Sequence, residues 1–456
     1  MKTIKKYRLM LMCVLLCTLL PSCEKYLNVK SDARLVRPDD LESLQQILDA
    51  SQNMNFNICA YGEVAADDYF LKQASFNSLA DEQKRAYVWE NYVYNFNNDW
   101  ARAYYTVFNA NTVLDRLGQI ERTPANSATF DAIKGAALYF RALQYLSLVW
   151  TYARAYNSGT AEEDLGIVLR TSANFNDPSS RSSVAASYTA ILADLKAAED
   201  LVPASTAHVM RPSKSAVYGS LARTYLSMAR YDSAYYYSNA LLQVNDQLLD
   251  FNENDDMNSA VTYPFSRFNR ETVFYAELTT ANPQIGESNL RIDTNLYGSY
   301  SDDDLRKVAY FRLNTDGYRS YRGSYSSANR MFGGIATNEM YLIRAECAAR
   351  MGKAAEALKD LNILLKHRFR HDTFQPLVVD NDQEVLTLIL QERRKELIFR
   401  GLRWMDIKRL NETGSSIRIE RKLEDREYTL MPGDNRFALP IPDDVIKLSG
   451  MPQNPI

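Results

Sequence analysis

Two groups of neighbouring carboxylates, Asp67 with Asp68 and Asp302 through Asp304, are the residues of this chain best suited to act on a covalent bond. Glycoside hydrolysis needs two carboxyl groups facing each other across the scissile bond, so each group invites that reading. Spacing along a chain does not fix a separation in space, and solvated loop acids or a structural calcium ion account for the same clusters. His367 and His371 stand at the i,i+4 spacing that puts two imidazoles on one helix face, where a metal could sit between them. Lys366, Arg368 and Arg370 crowd the same stretch with positive charge, which fits a helix C-terminus better than a cation site. The run Glu392, Arg393, Arg394, Lys395, Glu396 lies beside Leu388, Leu397, Phe399 and Trp404 and is expected to be a structural ion-pair network. In it, Arg393 and Arg403 are expected to fork onto carboxylates such as Glu346 or Asp406 and fasten the last long helix to the rest. No nucleophile elbow, phosphate loop, zinc motif or paired-cysteine motif occurs in the sequence. Neither catalysis nor a cofactor is expected.

Recognition of a sugar asks for less than hydrolysis: a flat aromatic for the C–H face of the ring, and Asp, Asn, Arg or Gln to bond the hydroxyls. Two stretches of weak periodicity supply both. The first offers Asp67, Asp68, Tyr69, Trp89, Asn91 and Tyr92, and the second Tyr297, Tyr300, Tyr318, Arg319, Tyr321 and Arg322. The chain carries 30 Tyr against 18 Phe and 4 Trp, and helix packing is expected to use most of those tyrosines, along with Trp100 and Trp404.

These residues must be held by something, and the address comes first. Lys2, Lys5, Lys6 and Arg8 precede the apolar stretch 9–20, which is too short to span a bilayer, and Ser22 then leads into Cys23. Residues 1–22 therefore read as a lipoprotein signal peptide, with Cys23 as the lipidated residue and 23–40 as a tether. The formal charge of −3 includes those four cations, and without them it is about −7, which argues against a nucleic-acid partner. Beyond the signal the only cysteines besides Cys23 are Cys59 and Cys347, too few for a disulfide framework although one bridge is left open.

Helical periodicity is strong over 100–117, 130–152, 187–201, 213–229, 233–244 and 383–399, with a shorter helix over 39–50. The last long helix is expected to stop with Gly401 in the C′ position. Ala222, Tyr225, Tyr231 and Ala234 repeat the spacing of Ala345, Ala348, Ala354 and Ala357, which marks two helix hairpins of tetratricopeptide type. The fold class is all-α: an irregular hairpin scaffold over about 100–245 and 335–410, within a single domain spanning 41–456. The scaffold carries loop-rich regions at about 55–99 and 250–335. The first is expected to be irregular surface structure, and both are expected to bear the binding surface.

The assembled motifs resemble the SusD/RagB family of surface nutrient-binding lipoproteins. CEKYLNV follows the signal, GAALYFRALQYLSLVWTYARAY and RPSKSAVYGSLARTYLSMARYDSAYYYSNALL fill the middle, and YLIRAECAARMGKAAEALKDLN, QERRKELIFRGLRWMDIKR, LPIP and QNP close the chain in order. Many members have an acidic residue where this chain has Arg400. The resemblance implies a non-enzymatic, outer-membrane, lipid-anchored protein facing the cell exterior. It also implies that the protein captures an oligosaccharide and delivers it to a TonB-dependent, SusC-like transporter. A docking scaffold for other envelope proteins, and a glycoside hydrolase, are the alternative readings.

Overall fold

In the computed structural model of the chain, the described residues are 38–93, 98–253, 255–280, 282–379, 381–424 and 426–455. The signal peptide, Cys23 and nearly all of the tether lie outside them. Seventeen α-helices are described: α1 Leu41–Asp49, α2 Ser51–Met54, α3 Tyr61–Ala65, α4 Gln73–Ser78, α5 Asp81–Tyr87, α6 Asp99–Leu117, α7 Ser127–Tyr152, α8 Val184–Leu201, α9 Lys214–Ser227, α10 Tyr231–Val244, α11 Thr294–Gly298, α12 Arg306–Tyr310, α13 Thr337–Arg350, α14 Ala354–Lys366, α15 Asp382–Glu396, α16 Arg403–Glu412 and α17 Asp443–Ser449. The strands are short and pair only in twos: β1 Tyr69–Leu71, β2 Leu165–Val168, β3 Arg181–Ser183, β4 Thr272–Phe274, β5 Leu290–Ile292, β6 Phe311–Leu313, β7 Arg319–Tyr321, β8 Ile335–Ala336, β9 Ile419–Leu423 and β10 Arg426–Leu430. The fold is mostly helical. Among the described residues no helix is long and apolar enough to cross a membrane.

The scaffold is a stack in which each helix packs on the next, from α6 through α7, α8, α9 and α10 to α13 and α14. Small residues make the stack tight: Ala222, Ala234, Ala345, Ala348 and Ala357 are all fully buried. At Gly219 of α9 a methyl group would meet Ile335 Cγ2 at 2.3 Å, so only glycine lets β8 approach that helix. Forked arginine–carboxylate pairs tie the layers together. Arg141 of α7 holds Asp194 of α8, and Arg223 of α9 holds Glu339 of α13, each through two hydrogen bonds of 2.6–2.7 Å. Helices α10 and α13 are direct neighbours in the stack although 245–336 intervene in sequence. That insertion leaves the scaffold and returns to it.

Three details differ from the sequence reading. Helix α15 ends at Glu396, and the turn beyond it uses two left-handed residues, Phe399 (φ 54°) and Gly401 (φ 76°). Gly401 is therefore not its C′ residue. Segment 61–92 is not irregular surface: it forms α3, β1, α4 and α5, and Tyr61, Tyr69, Tyr87, Trp89 and Tyr92 are buried. Arg421 of β9 explains the aromatic crowding, because its guanidinium lies over the rings of Tyr69, Tyr87 and Trp89 at 4.4–5.3 Å. The insertion likewise turns its aromatics into the common core, where Phe251, Phe265, Tyr310, Tyr325 and Phe332 meet edge to face or tilted.

Candidate functional site

The two loop-rich regions meet. Strand β1 of the first pairs antiparallel with β5 of the second, in the register Tyr69↔Ile292, Phe70↔Arg291, Leu71↔Leu290. Alternation sends Tyr69, Leu71, Leu290 and Ile292 into the core, which leaves Phe70 and Arg291 side by side on the outer face. Beside this ladder runs the β6–β7 hairpin, whose turn closes through Asn314 and Tyr318 and takes a left-handed residue at Gly317 (φ 85°).

Asp316, in that turn, fastens the hairpin to the ladder. It accepts from Arg291 Nε at 2.9 Å, from Lys72 Nζ at 3.2 Å and from the Tyr318 backbone N–H at 3.2 Å. Desolvation opposes its charge, but the Arg291 guanidinium, the Tyr318 N–H and Lys72 outweigh it and hold the carboxyl down to about 2. The Tyr318 ring stands edge-on against Phe70 with centroids 5.1 Å apart, and Tyr318 is 38% exposed. Next to it, the Arg319 guanidinium covers Tyr297 at 4.9 Å. An open polar cleft of about 670 Å³ adjoins this face, lined by Glu287, Ser288, Arg291, Arg312, Asn314 and Asn329 among others. Aromatic edges beside such donors and acceptors can hold a polyhydroxylated ring.

Of the residues singled out by sequence, Tyr318 packs here on Phe70, Arg319 covers Tyr297 on the face of the hairpin opposite Arg312 and Ser320, and Asn91 is exposed in the loop after α5. The others serve the fold. Tyr69 donates to the Val64 carbonyl, Trp89 Nε1 to the Ala65 carbonyl and Tyr300 to the Lys395 carbonyl. Tyr92 stacks on Tyr61, and the buried Tyr321 packs on Phe399. Arg322 spends its guanidinium on the carbonyls of Ser259, Val261 and Val308. Burial takes these five rings out of reach of a bound sugar, and the three carbonyls occupy the half-buried Arg322.

Asp67 and Asp68 are also committed. Arg403 grips Asp67, while Arg394 reaches Asp68 at 2.8 Å and Asp67 at 3.2 Å. Burial works against both charges. At Asp67 the two guanidiniums win and pull its carboxyl well below the ordinary range, whereas at Asp68 burial prevails over Arg394 and raises it. Arg393 does pair with Asp406 as the sequence predicts, but Glu346 is held by Arg409, and Arg403 belongs to Asp67. In the other acidic group, Asp304 is buried on Arg306 and Asp302 reaches Lys307. Of the two histidines, His367 Nδ1 bonds the Ile363 carbonyl, and His371 lies in the turn beyond α14 near Asp250. Among the described residues no group of three or more His, Cys, Asp or Glu is arranged to hold a metal ion.

Phe70, Lys72, Arg291 and Asp316 were not singled out by sequence. The signals were present but small. Asp316-Gly317 is a hairpin-turn dipeptide and L-R-I alternates once, whereas Y-F-L is apolar throughout.

Comparison with known proteins accounts for the fold. The family model described as "Starch-binding associating with outer membrane" matches residues 25–226, and that of the SusD family matches residues 211–456. The chain belongs to the SusD family. Its fold is shared by a SusD superfamily protein from Bacteroides thetaiotaomicron VPI-5482, with a TM-score of 0.75 at 22% identity over 91% of this chain and 100% of that one. Two proteins of Bacteroides vulgatus ATCC 8482 are also similar. One, a SusD superfamily protein, gives 0.72 at 21% identity over 91% and 98% of the two chains. The other, a SusD-like carbohydrate binding protein, gives 0.67 at 19% over 90% and 96%. No curated protein matches the sequence. The family is one of outer-membrane-associated carbohydrate binding, so this SusD-family chain brings to glycan utilisation a scaffold on which Phe70, Tyr318 and Arg291 stand together.

Proposed function

We propose that the protein is a non-catalytic capture subunit, anchored by lipid at Cys23 on the outer face of the outer membrane, that binds an oligosaccharide and passes it to a TonB-dependent, SusC-like transporter. The observation that carries the reading is the packing of the half-exposed Tyr318 on Phe70, next to Arg291, which itself lines the open polar cleft. Stacking on Tyr318 and hydrogen bonds from the cleft would hold one or two sugar rings. Lipid attachment beside the pore raises the local concentration of binder, so a modest affinity suffices. The absence of catalysis in this reading is supported by the pairing of Asp67, Asp68 and Asp304 with arginines, which spends the carboxyl groups that hydrolysis would need.

A glycan panel read by calorimetry tests the proposal. At least one oligosaccharide should bind, and Tyr318→Ala should weaken it about tenfold or more, a loss of about 1.4 kcal/mol. Binding unchanged in Tyr318→Ala would place the ligand elsewhere. Turnover of any bound glycan would overturn the non-catalytic reading.

A further inference from the structure

A second cavity lies on the helical scaffold, among α6, the end of β2, the loop 169–180 and α17. Trp100, Tyr104, Val107, Phe108 and Asn111 recur along one face of α6 and form one wall, and Val445 of α17 forms another. Its volume is about 230 Å³. The third wall is the loop, which is rigidly built. Arg170 donates to the Asp177 carbonyl and to Ser179 Oγ, both at 2.6 Å, while Ser172 and Asn174 each donate to the Asp177 carboxylate. Asn111 pins the loop from the scaffold side by donating to the carbonyls of Arg170 and Ser172, and its own oxygen accepts from Arg141. Yet this ordered loop presents Phe175, 80% exposed, opposite the half-exposed Phe108, with ring centroids 6.4 Å apart.

The polar side chains around this cavity therefore have partners inside the protein, and Tyr104 too spends its hydroxyl on the Val168 carbonyl. The free surface is that of aromatic rings and of Val107, Val168, Ala173 and Val445. A sugar ring, which needs its hydroxyls bonded in pairs, finds few partners here, in contrast to the cleft beside Tyr318. A flat apolar ring finds edges and faces on three sides. A dry cavity of about 150 Å³ already takes benzene, so about 230 Å³ suits a phenyl ring with a substituent.

We propose that this cavity is a second binding site of the protein, specific for a phenyl-sized aromatic ring, with Phe108 and Phe175 as its lips. The ring arrives either as a small free aromatic or as an aryl group carried on a sugar. Both sources present the same chemistry to the walls.

Titration with 4-fluorophenol and with 4-fluorophenyl β-glucoside, followed by fluorine NMR on the intact protein, tests the proposal. Saturable binding of at least one probe is expected, weakened about tenfold, or 1.4 kcal/mol, by Phe175→Ala and by Ala173→Phe, which fills the cavity with a ring of the protein's own. Phe175 is exposed, so its removal leaves the fold intact. Both titrations are run in the Tyr318→Ala background, so that the sugar of the glucoside does not report through the cleft. Tighter binding of the glucoside than of the phenol assigns the ring to a sugar substituent, and the reverse assigns it to a free aromatic. No saturable binding of either probe, or binding that survives both cavity substitutions, overturns the proposal. So does self-association of the protein that Phe175→Ala abolishes, which would make the face a contact between copies.

Discussion

Arg403 holds Asp67 with a two-pronged grip, Nε to Oδ1 at 2.7 Å and Nη2 to Oδ2 at 2.9 Å. The pair joins the C-terminal signature to the segment that leads into β1, and both side chains are largely withdrawn from water. Removing one partner of a buried pair strands the other, at a cost of about 3–5 kcal/mol. Arg403→Ala should lose stability on that scale in urea denaturation, and glycan affinity should fall only as the fold does. A variant of undiminished stability would show the grip to be dispensable.

Glu63 presents the opposite case. Its Oε1 accepts from the N–H groups of Gly401 and Leu402, while burial, with Asp68 nearby, raises its carboxyl to about 8. An unfolded glutamate titrates near about 4.3. The folded state thus binds this proton more tightly, and the resulting stability is complete below the unfolded value and lost as pH rises through about 8. Glu63→Gln keeps an acceptor oxygen and cannot ionise. Its melting temperature should therefore fall less than the wild type's between pH 5.5 and pH 8, and parallel curves would contradict the assignment.

Trp89 and Tyr318 should part company on mutation. Trp89 is 3% exposed, holds a left-handed backbone (φ 57°), and forms one wall of the box around Arg421. Trp89→Ala should cost about 3–5 kcal/mol, as large-to-small changes at buried tryptophans do. Tyr318→Ala should leave stability within about 0.5 kcal/mol, as surface changes do, and act on ligand affinity alone. A stable Trp89→Ala protein that had lost its glycan would reverse these roles.

The contrast shows what was legible. Helices α9, α10, α13 and α14 could be read because their alanines recur at the spacing of closely packed hairpins, and all of these but the half-buried Ala354 are fully buried. The inward turn of Tyr69 and Trp89 could not. Tyrosine and tryptophan suit a wet surface as well as a core, and a three-residue strand shows too little alternation to decide. Asp67 and Asp68 looked available because their partners Arg394 and Arg403 lie at the far end of the chain. Local sequence pairs charges only within a helix turn or so.

Cys59 and Cys347 are both free and buried. Burial raises both thiols far above their usual range, aided by Asp99 at the first and Glu346 at the second. Neither should take up N-ethylmaleimide in the native protein, and both should do so in guanidinium, as peptide mapping would report. Rapid native labelling of either would show that its surroundings open.

The pairing of Phe70 with Arg291 carries one more consequence, for the order of events in biosynthesis. The proposed ligand face comes from two short strands that meet across most of the N-terminal half of the scaffold, so closing it is a long-range step. A chain ending before β5 would lack the partner strand of β1 and, with it, Arg291 and Tyr318. The proposed capture would thus need the chain through β7, which ends at residue 321 of 456.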